Sequence, residues 1–492
     1  MRTFIAFAAV TIALIGLAVL LGEREQVEVI DDNTPDVAST DRGFEPLPDD
    51  TPKPTPTTEF GDENTVDEGS LTITTRLSHG AVPATPFSEL YATIDVLADE
   101  VAPDTRAPLN VALVIDRSGS MRGEAMAQAR QAARTFVDAL DDRDRVAIVA
   151  FDNRSVVEMP STVVDEEGRS MLHRSIDKIH AGGTTNISGG LRDGYQEVQR
   201  NSRPDMLDRV VLMTDGIPNV GLTTKDELSN KTAEIRRSGV TVTTLGFGTS
   251  YDASLMAAMA TEGAGNFRHI SDAADLELAF ADEISDLQQT VASGIQLDFL
   301  PAPGVEIERI YGFSEDDVDG GKRITLGELQ TEGRRSAVVR LRVDEGRVGD
   351  HRDLIDVRAN YIDRLADAKV SQKLSAGARV VADRSEVRQS VDSDVMARVE
   401  EVRSQESMRE VIDLYASGDR RQAEQRLRRE RQRVQQVRVE YDIADDSESS
   451  RRIDGAFDRI GSAVRSHAPR SSAGREEVAE EQVQLMDSVQ GR

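Results

Sequence analysis

Residues 110–121, N-V-A-L-V-I-D-R-S-G-S-M, constrain the fold of this chain more than any other stretch. Residues 111–115 form an unbroken apolar run without alternation, which predicts a strand buried on both faces of a parallel sheet. Asp116, Ser118 and Ser120 follow at once, on a turn that Gly119 lets bend tightly. Beyond them Ala125, Ala129, Ala132, Phe136, Val137 and Leu140 recur at helical spacing. A loop that leaves the carboxyl end of a strand and enters a helix is where open α/β sheets hold their ligands. One carboxylate and two hydroxyls are hard oxygen donors, suited to Mg2+ or Ca2+ rather than to a soft metal.

The next part of the chain repeats this strand–helix pattern. Residues 146–151, 210–213, 240–246 and 266–270 read as strands. Residues 171–179, 190–198, 225–237, 253–260 and 273–287 read as helices, so the fold class is α/β, a doubly wound and mostly parallel sheet. Two of its loops add oxygen donors. A-G-G-T-T-N-I at 181–187 places a hydroxyl on a glycine-rich turn ahead of a helix, and T-D-G at 214–216 supplies a second carboxylate. Parallel strands point their carboxyl ends the same way, so all three loops can gather at one sheet edge.

The motifs D-R-S-G-S-M, A-G-G-T-T-N and M-T-D-G, in this order, resemble the metal-ion-dependent adhesion site of von Willebrand factor type A (vWA) domains. The resemblance covers residues 109–288. It implies that Asp116, Ser118 and Ser120 are first-loop ligands, that Thr185 rather than Thr184 serves the second loop, and that Asp215 serves the third. It also implies Mg2+ (or Ca2+ or Mn2+) as the ion, and a protein partner whose carboxylate completes the coordination. The wider chain is similar to bacterial and archaeal membrane-associated proteins of this type. Its domain order resembles inter-alpha-trypsin-inhibitor heavy chains and calcium-activated chloride channel homologues.

The flanks read differently. Period-two alternation at Leu90, Ala92, Ile94 and Val96 returns at Val339, Leu341, Val343 and again at Ile355, Val357, Ala359. The economical expectation is one β-sandwich in two pieces, 70–108 and 289–383, with the vWA segment 109–288 inserted between them. Residues 384–466 take a helical period, with Gly418 and Asp419 marking a helix–turn–helix. The arginine cluster from Arg420 to Arg433 is interleaved with glutamates, which predicts an ion-paired helix face. The tail, 467–492, reads as polar and partly disordered.

At the other end, residues 4–21 are apolar or small, long enough to span a bilayer, with Arg2 before and Glu23 after. Segment 1–22 is therefore expected to be a single-pass transmembrane anchor, or a signal segment if cleaved, with the folded part outside the cytoplasm. Residues 23–69 form an acidic, proline-rich linker, with fifteen acidic side chains against three basic ones and too little apolar surface to fold.

Charge and motif content exclude several functions. A net charge of -29 opposes nucleic-acid binding. The absence of cysteine removes thiol catalysis and thiolate zinc sites. No phosphate-binding glycine loop, H-E-x-x-H pair or G-x-S-x-G elbow is present, so neither nucleotide binding nor catalytic residues are expected. The expected function is adhesion or complex assembly by a non-enzymatic module. An accessory subunit of a membrane channel or assembly complex is the alternative, with a metal-dependent hydrolase behind it.

Overall fold

A computed structural model of the chain describes residues 64–100, 106–248, 250–271, 273–466, 468 and 471–490. The expected membrane anchor, and the linker as far as residue 63, lie outside these residues. Among the described residues no helix is long and apolar enough to cross a membrane.

Strands β1 (Asn64–Glu68), β2 (Leu71–Leu77), β3 (Ala81–Pro83) and β4 (Phe87–Ala98) come first. The linker expected to run to residue 69 therefore stops short. Asn64 to Glu68 pair antiparallel with Thr75 to Leu71, and these ladder bonds order a segment too polar to order itself.

The α/β segment follows with β5 (Leu109–Asp116), α1 (Glu124–Asp138), β6 (Arg145–Phe151), β7 (Ser155–Val163), α2 (Glu166–Asp177), α3 (Ile187–Arg200) and β8 (Leu207–Thr214). It continues with α4 (Lys225–Arg237), β9 (Thr241–Phe247), α5 (Ala253–Glu262), β10 (Ala264–Ile270) and α6 (Ala273–Gln288). Its sheet runs β10-β9-β8-β5-β6-β7, parallel throughout except for antiparallel β7 at one edge. Every residue of β5 and β8 is buried, as central strands covered on both faces must be. Leu109, Val111, Leu113 and Ile115 pack under α1, α2 and α6 on one face. Ala112 and Val114 face α3, α4 and α5 on the other.

The chain then supplies β11 (Thr290–Pro301), β12 (Val305–Tyr311), β13 (Asp316–Val318), β14 (Gly321–Gln330), β15 (Arg334–Val343), β16 (His351–Asp363) and β17 (Ala368–Val381). These strands and β1–β4 build two sheets, β1-β2-β4-β15-β12 and β13-β14-β11-β16-β17-β3. One shared core joins them, with Leu90, Ile94 and Val339 from the first sheet against Leu297, Phe299, Val357 and Ala359 from the second. The α/β segment is thus inserted in a β-sandwich. Its two ends are pinned by one turn: Thr331 donates its N–H to Gln289 O (3.0 Å) and its hydroxyl to Asp99 O (3.3 Å).

Helices α7 (Arg384–Gln389), α8 (Ser393–Ser417), α9 (Arg420–Glu440), α10 (Glu448–Ser466) and α11 (Ser472–Gln490) complete the described chain. Gly418, at φ +100°, ends α8, and the Asp419 side chain accepts from Gln422 N to start α9. Arg420, Arg426, Arg428, Arg431 and Arg433 are all ion-paired to glutamate or aspartate. The tail departs from its polar, partly disordered reading, because residues 472–490 form a helix. Ala479, Leu485, Met486 and Val489 recur on one face of it and are buried, and the intervening glutamates mask that stripe in the composition.

Candidate metal centre

The centre lies at the carboxyl edge of the parallel sheet, where β5 and β8 end side by side. Asp116 is the last residue of β5 and is fully buried. Its Oδ1 accepts from Ser118 N at 2.7 Å, which folds the first loop back over the strand end. Ser118 and Ser120 hydroxyls lie 3.0 Å apart, and Ser120 Oγ donates to Asp215 Oδ1 at 2.6 Å. Four of the five expected residues, Asp116, Ser118, Ser120 and Asp215, are thus linked in a chain across two loops. The serines do not cap the following helix, whose N-cap is Gly123 with no side-chain bond.

The second loop closes from the side. Gly119 N donates to Gly183 O (3.1 Å) and Gly182 N to Arg117 O (2.7 Å), binding it to the first loop. Gly183 sits at φ +83°, a conformation that only glycine adopts freely. Thr185 is buried and Thr184 exposed, which separates the two adjacent threonines by position. A methyl group placed on Gly216 would lie 3.0 Å from Thr185 Oγ1 and 3.6 Å from Asp116 Oδ2. The third loop therefore crosses directly over the first two, and Gly216 is where a side chain would collide. All five residues, Asp116, Ser118, Ser120, Thr185 and Asp215, meet at one place.

Two supporting residues escaped the sequence reading. Thr214 donates its hydroxyl to Asp116 Oδ2 at 2.5 Å and accepts from Gly216 N at 3.1 Å. Asn219 Oδ1 accepts from Thr185 N at 2.9 Å, tying the third loop to the second. Only the T-D-G run gave a signal for the former, and nothing in the pattern marked Asn219.

Burial pushes the Asp116 carboxyl up to about 6, against the lowering effect of its hydrogen bonds from Thr214 and Ser118. Burial likewise lifts the Asp215 carboxyl above its ordinary value, opposed by the Ser120 hydrogen bond. Neither carboxylate has an arginine, lysine or histidine partner among the described residues. Two enclosed carboxylates without counter-charge, beside three hydroxyls, fit a hard divalent cation. No three His, Cys, Asp or Glu side chains gather as ligands among the described residues, so a cation here would depend on the hydroxyl oxygens.

Fold and site together point to one class: residues 110–283 match the family model of the von Willebrand factor type A domain. Over 268 residues the chain is 29% identical to the uncharacterized protein YfbK of Escherichia coli, covering 51% of this chain and 46% of YfbK. It is 26% identical over 235 residues to human inter-alpha-trypsin inhibitor heavy chain H4, covering 46% of this chain and 25% of the heavy chain. The chain thus spans about half or less of the length of these two relatives. In architecture it is similar to a von Willebrand factor type A protein from Catenulispora acidiphila, with a TM-score of 0.64, 17% identity, and coverage of 83% of this chain and 91% of that one.

Proposed function

We propose that this chain is a membrane-anchored, extracytoplasmic protein that binds a divalent cation, Mg2+ first, and uses it to bind a carboxylate of a partner protein. Asp116, Ser118, Ser120, Thr185 and Asp215 are the protein's ligands in this reading. The observation that carries it is the pair of buried, uncompensated aspartates beside the solvent-exposed Ser120. A bound Mg2+ supplies positive charge and a demand for six oxygens, and five protein side chains leave a place for a guest oxygen. Thr214 and Asn219 act as positioning residues, one fixing the Asp116 carboxylate and the other the second loop. Anchoring rests on the apolar residues 4–21 and their flanking charges.

Mg2+ titration by calorimetry tests the first half, with Ser118→Ala/Ser120→Ala and Asp215→Ala each expected to abolish the heat. Capture of binding proteins with and without chelator tests the second. Equal recovery from wild type, the serine variant and chelated samples would sink the carboxylate-to-cation reading.

A further inference from the structure

Three features at the rim of the centre serve neither the fold nor the cation. Ile217, two residues beyond Asp215, is 59% exposed, although it follows a strand in which every residue is buried. Arg122, two residues beyond Ser120, and Arg154, in the turn after β6, are also exposed. The α/β segment from 110 to 283 contains sixteen arginines. Fourteen hold a side-chain hydrogen bond or ion pair, as Arg117 does with Asp152 and Glu158. Arg122 and Arg154 are the two described arginines of this segment that do not. In a protein of net charge -29, two guanidinium groups left without an acidic partner on loops flanking one site are available to an acidic ligand.

Their order along the edge follows from the sheet. Ile217 lies on the loop after β8, the cluster sits above β5 and β8, and Arg122 and Arg154 follow β5 and β6. The loop carrying Arg154 abuts the second loop: Asn186 N donates to Asp152 O at 2.8 Å, and a methyl on Gly183 would lie 3.0 Å from Asn153 Oδ1. Adjacent strands are about 4.8 Å apart, so β8 to β6 spans roughly 10 Å, the length of about three extended residues.

We infer that the partner presents an extended peptide segment with three features in a row, an apolar side chain on Ile217, a carboxylate at the cation, and a second acidic side chain at Arg122 and Arg154. This rests on the cation-dependent reading above and adds what selects the ligand. Charge complementarity sets the polarity of the segment, because a bound cation would offset the two aspartates between the loops. The arginines then extend the positive field to one side, and Ile217 offers apolar contact on the other.

The test is selection of a random heptapeptide library on the purified full chain in Mg2+, followed by affinity measurement of fixed winners on three proteins. Wild type should enrich peptides with two acidic residues and an apolar one within four positions. Arg122→Ser/Arg154→Ser should weaken these peptides by about tenfold and stop selecting the second acid. Ile217→Ser should weaken them by about fivefold and stop selecting the apolar residue. All three proteins should bind Mg2+ alone equally by calorimetry, which also reports that the variants are folded. If Mg2+ binds but the selected motif is the same on all three proteins, or no acidic peptide is enriched, the inference fails and the cation site stands. If Mg2+ gives no heat with wild type, the underlying reading fails as well.

Discussion

Strand β8 carries a buried charge near each end, and the protein treats the two in opposite ways. Near its amino end Arg209 is enclosed at the junction with the β-sandwich, where it pairs with Glu283 of α6 and Glu328 of β14. Burial works against its charge, yet Glu328 and Glu283 outweigh it and lift its pKa above the ordinary arginine value. Its Nε donates to Thr241 Oγ1 at 3.0 Å, and Thr243 Oγ1 donates to Glu283 at 2.8 Å, so the network is closed. Just past the carboxyl end, Asp215 and neighbouring Asp116 are enclosed with hydroxyls and backbone N–H groups but no opposite charge. At the junction the buried charge is met by opposite charges, whereas at the other end the carboxylates are met by hydrogen bonds without a counter-charge.

The contrast breaks most sharply at Arg209. Arg209→Met strands buried Glu328 and leaves Glu283 only the longer Arg268 contact at 3.9 Å, and should cost about 3–5 kcal/mol in urea unfolding. Adding Glu283→Gln and Glu328→Gln should recover most of that loss. A loss from Arg209→Met below about 1 kcal/mol would mean the junction does not depend on the network.

A third enclosed group sharpens the comparison from the seam between sandwich and helices. His79 is buried against Phe87 and Tyr441, with Ser78 Oγ 2.9 Å from its Nδ1, and burial lowers its pKa to about 4. Above about pH 6.5 it is neutral folded or unfolded and its burial is free of charge cost. As pH falls from 6.5 toward 4 the unfolded chain takes a proton that the native state refuses. Stability should therefore drop by about 3 kcal/mol over that window. His79→Gln should flatten this part of the stability–pH profile, and an unchanged slope would assign it to other groups.

Asp116→Asn probes the open end. In chelator at pH 7 it removes a buried, unpaired carboxylate whose folded pKa lies above its unfolded one. That penalty is present above pH 6 and relieved as pH falls toward 4, so the variant should gain up to about 3 kcal/mol at pH 7, less what it loses in hydrogen bonds from Ser118 and Thr214, and little at pH 4. With Mg2+ present the order should invert, since wild type gains binding energy that the variant lacks. Thermal melts in chelator and in Mg2+ measure both signs. At the rim, Arg122→Ser, Arg154→Ser and Ile217→Ser should each change stability by less than about 0.5 kcal/mol, because all three side chains are exposed and the two guanidinium groups hold no partner in the fold.

The site was more legible than its frame. The unbroken run before Asp116 predicted a strand covered on both faces, and each of its residues is buried. Thr185 was preferred to Thr184 by register alone, and burial separates them in the same sense. Strand β7 was missed because Pro160 lies inside it and its residues are only partly buried, both tolerable at a sheet edge and misleading in a sequence. Helix α11 was missed for the reverse reason, since its polar majority hides a buried face that only packing against α5 and the other helices defines. Thr214 and Asn219 act through hydrogen bonds between loops, and such pairings leave no periodicity to read.

The way the α/β segment is held at both ends by one turn bears on the order in which a newly synthesised chain can mature. Strand β4 finds its neighbour β15 only after every residue of the intervening segment has left the ribosome. Until then its apolar edge lacks a mate. Collapse of the insert, whose contacts are comparatively local, draws its two ends together and spares the late sandwich most of the entropy of closing so long a loop. The turn at Thr331, far from the loops at the sheet edge, thereby ties completion of the sandwich to prior collapse of the insert.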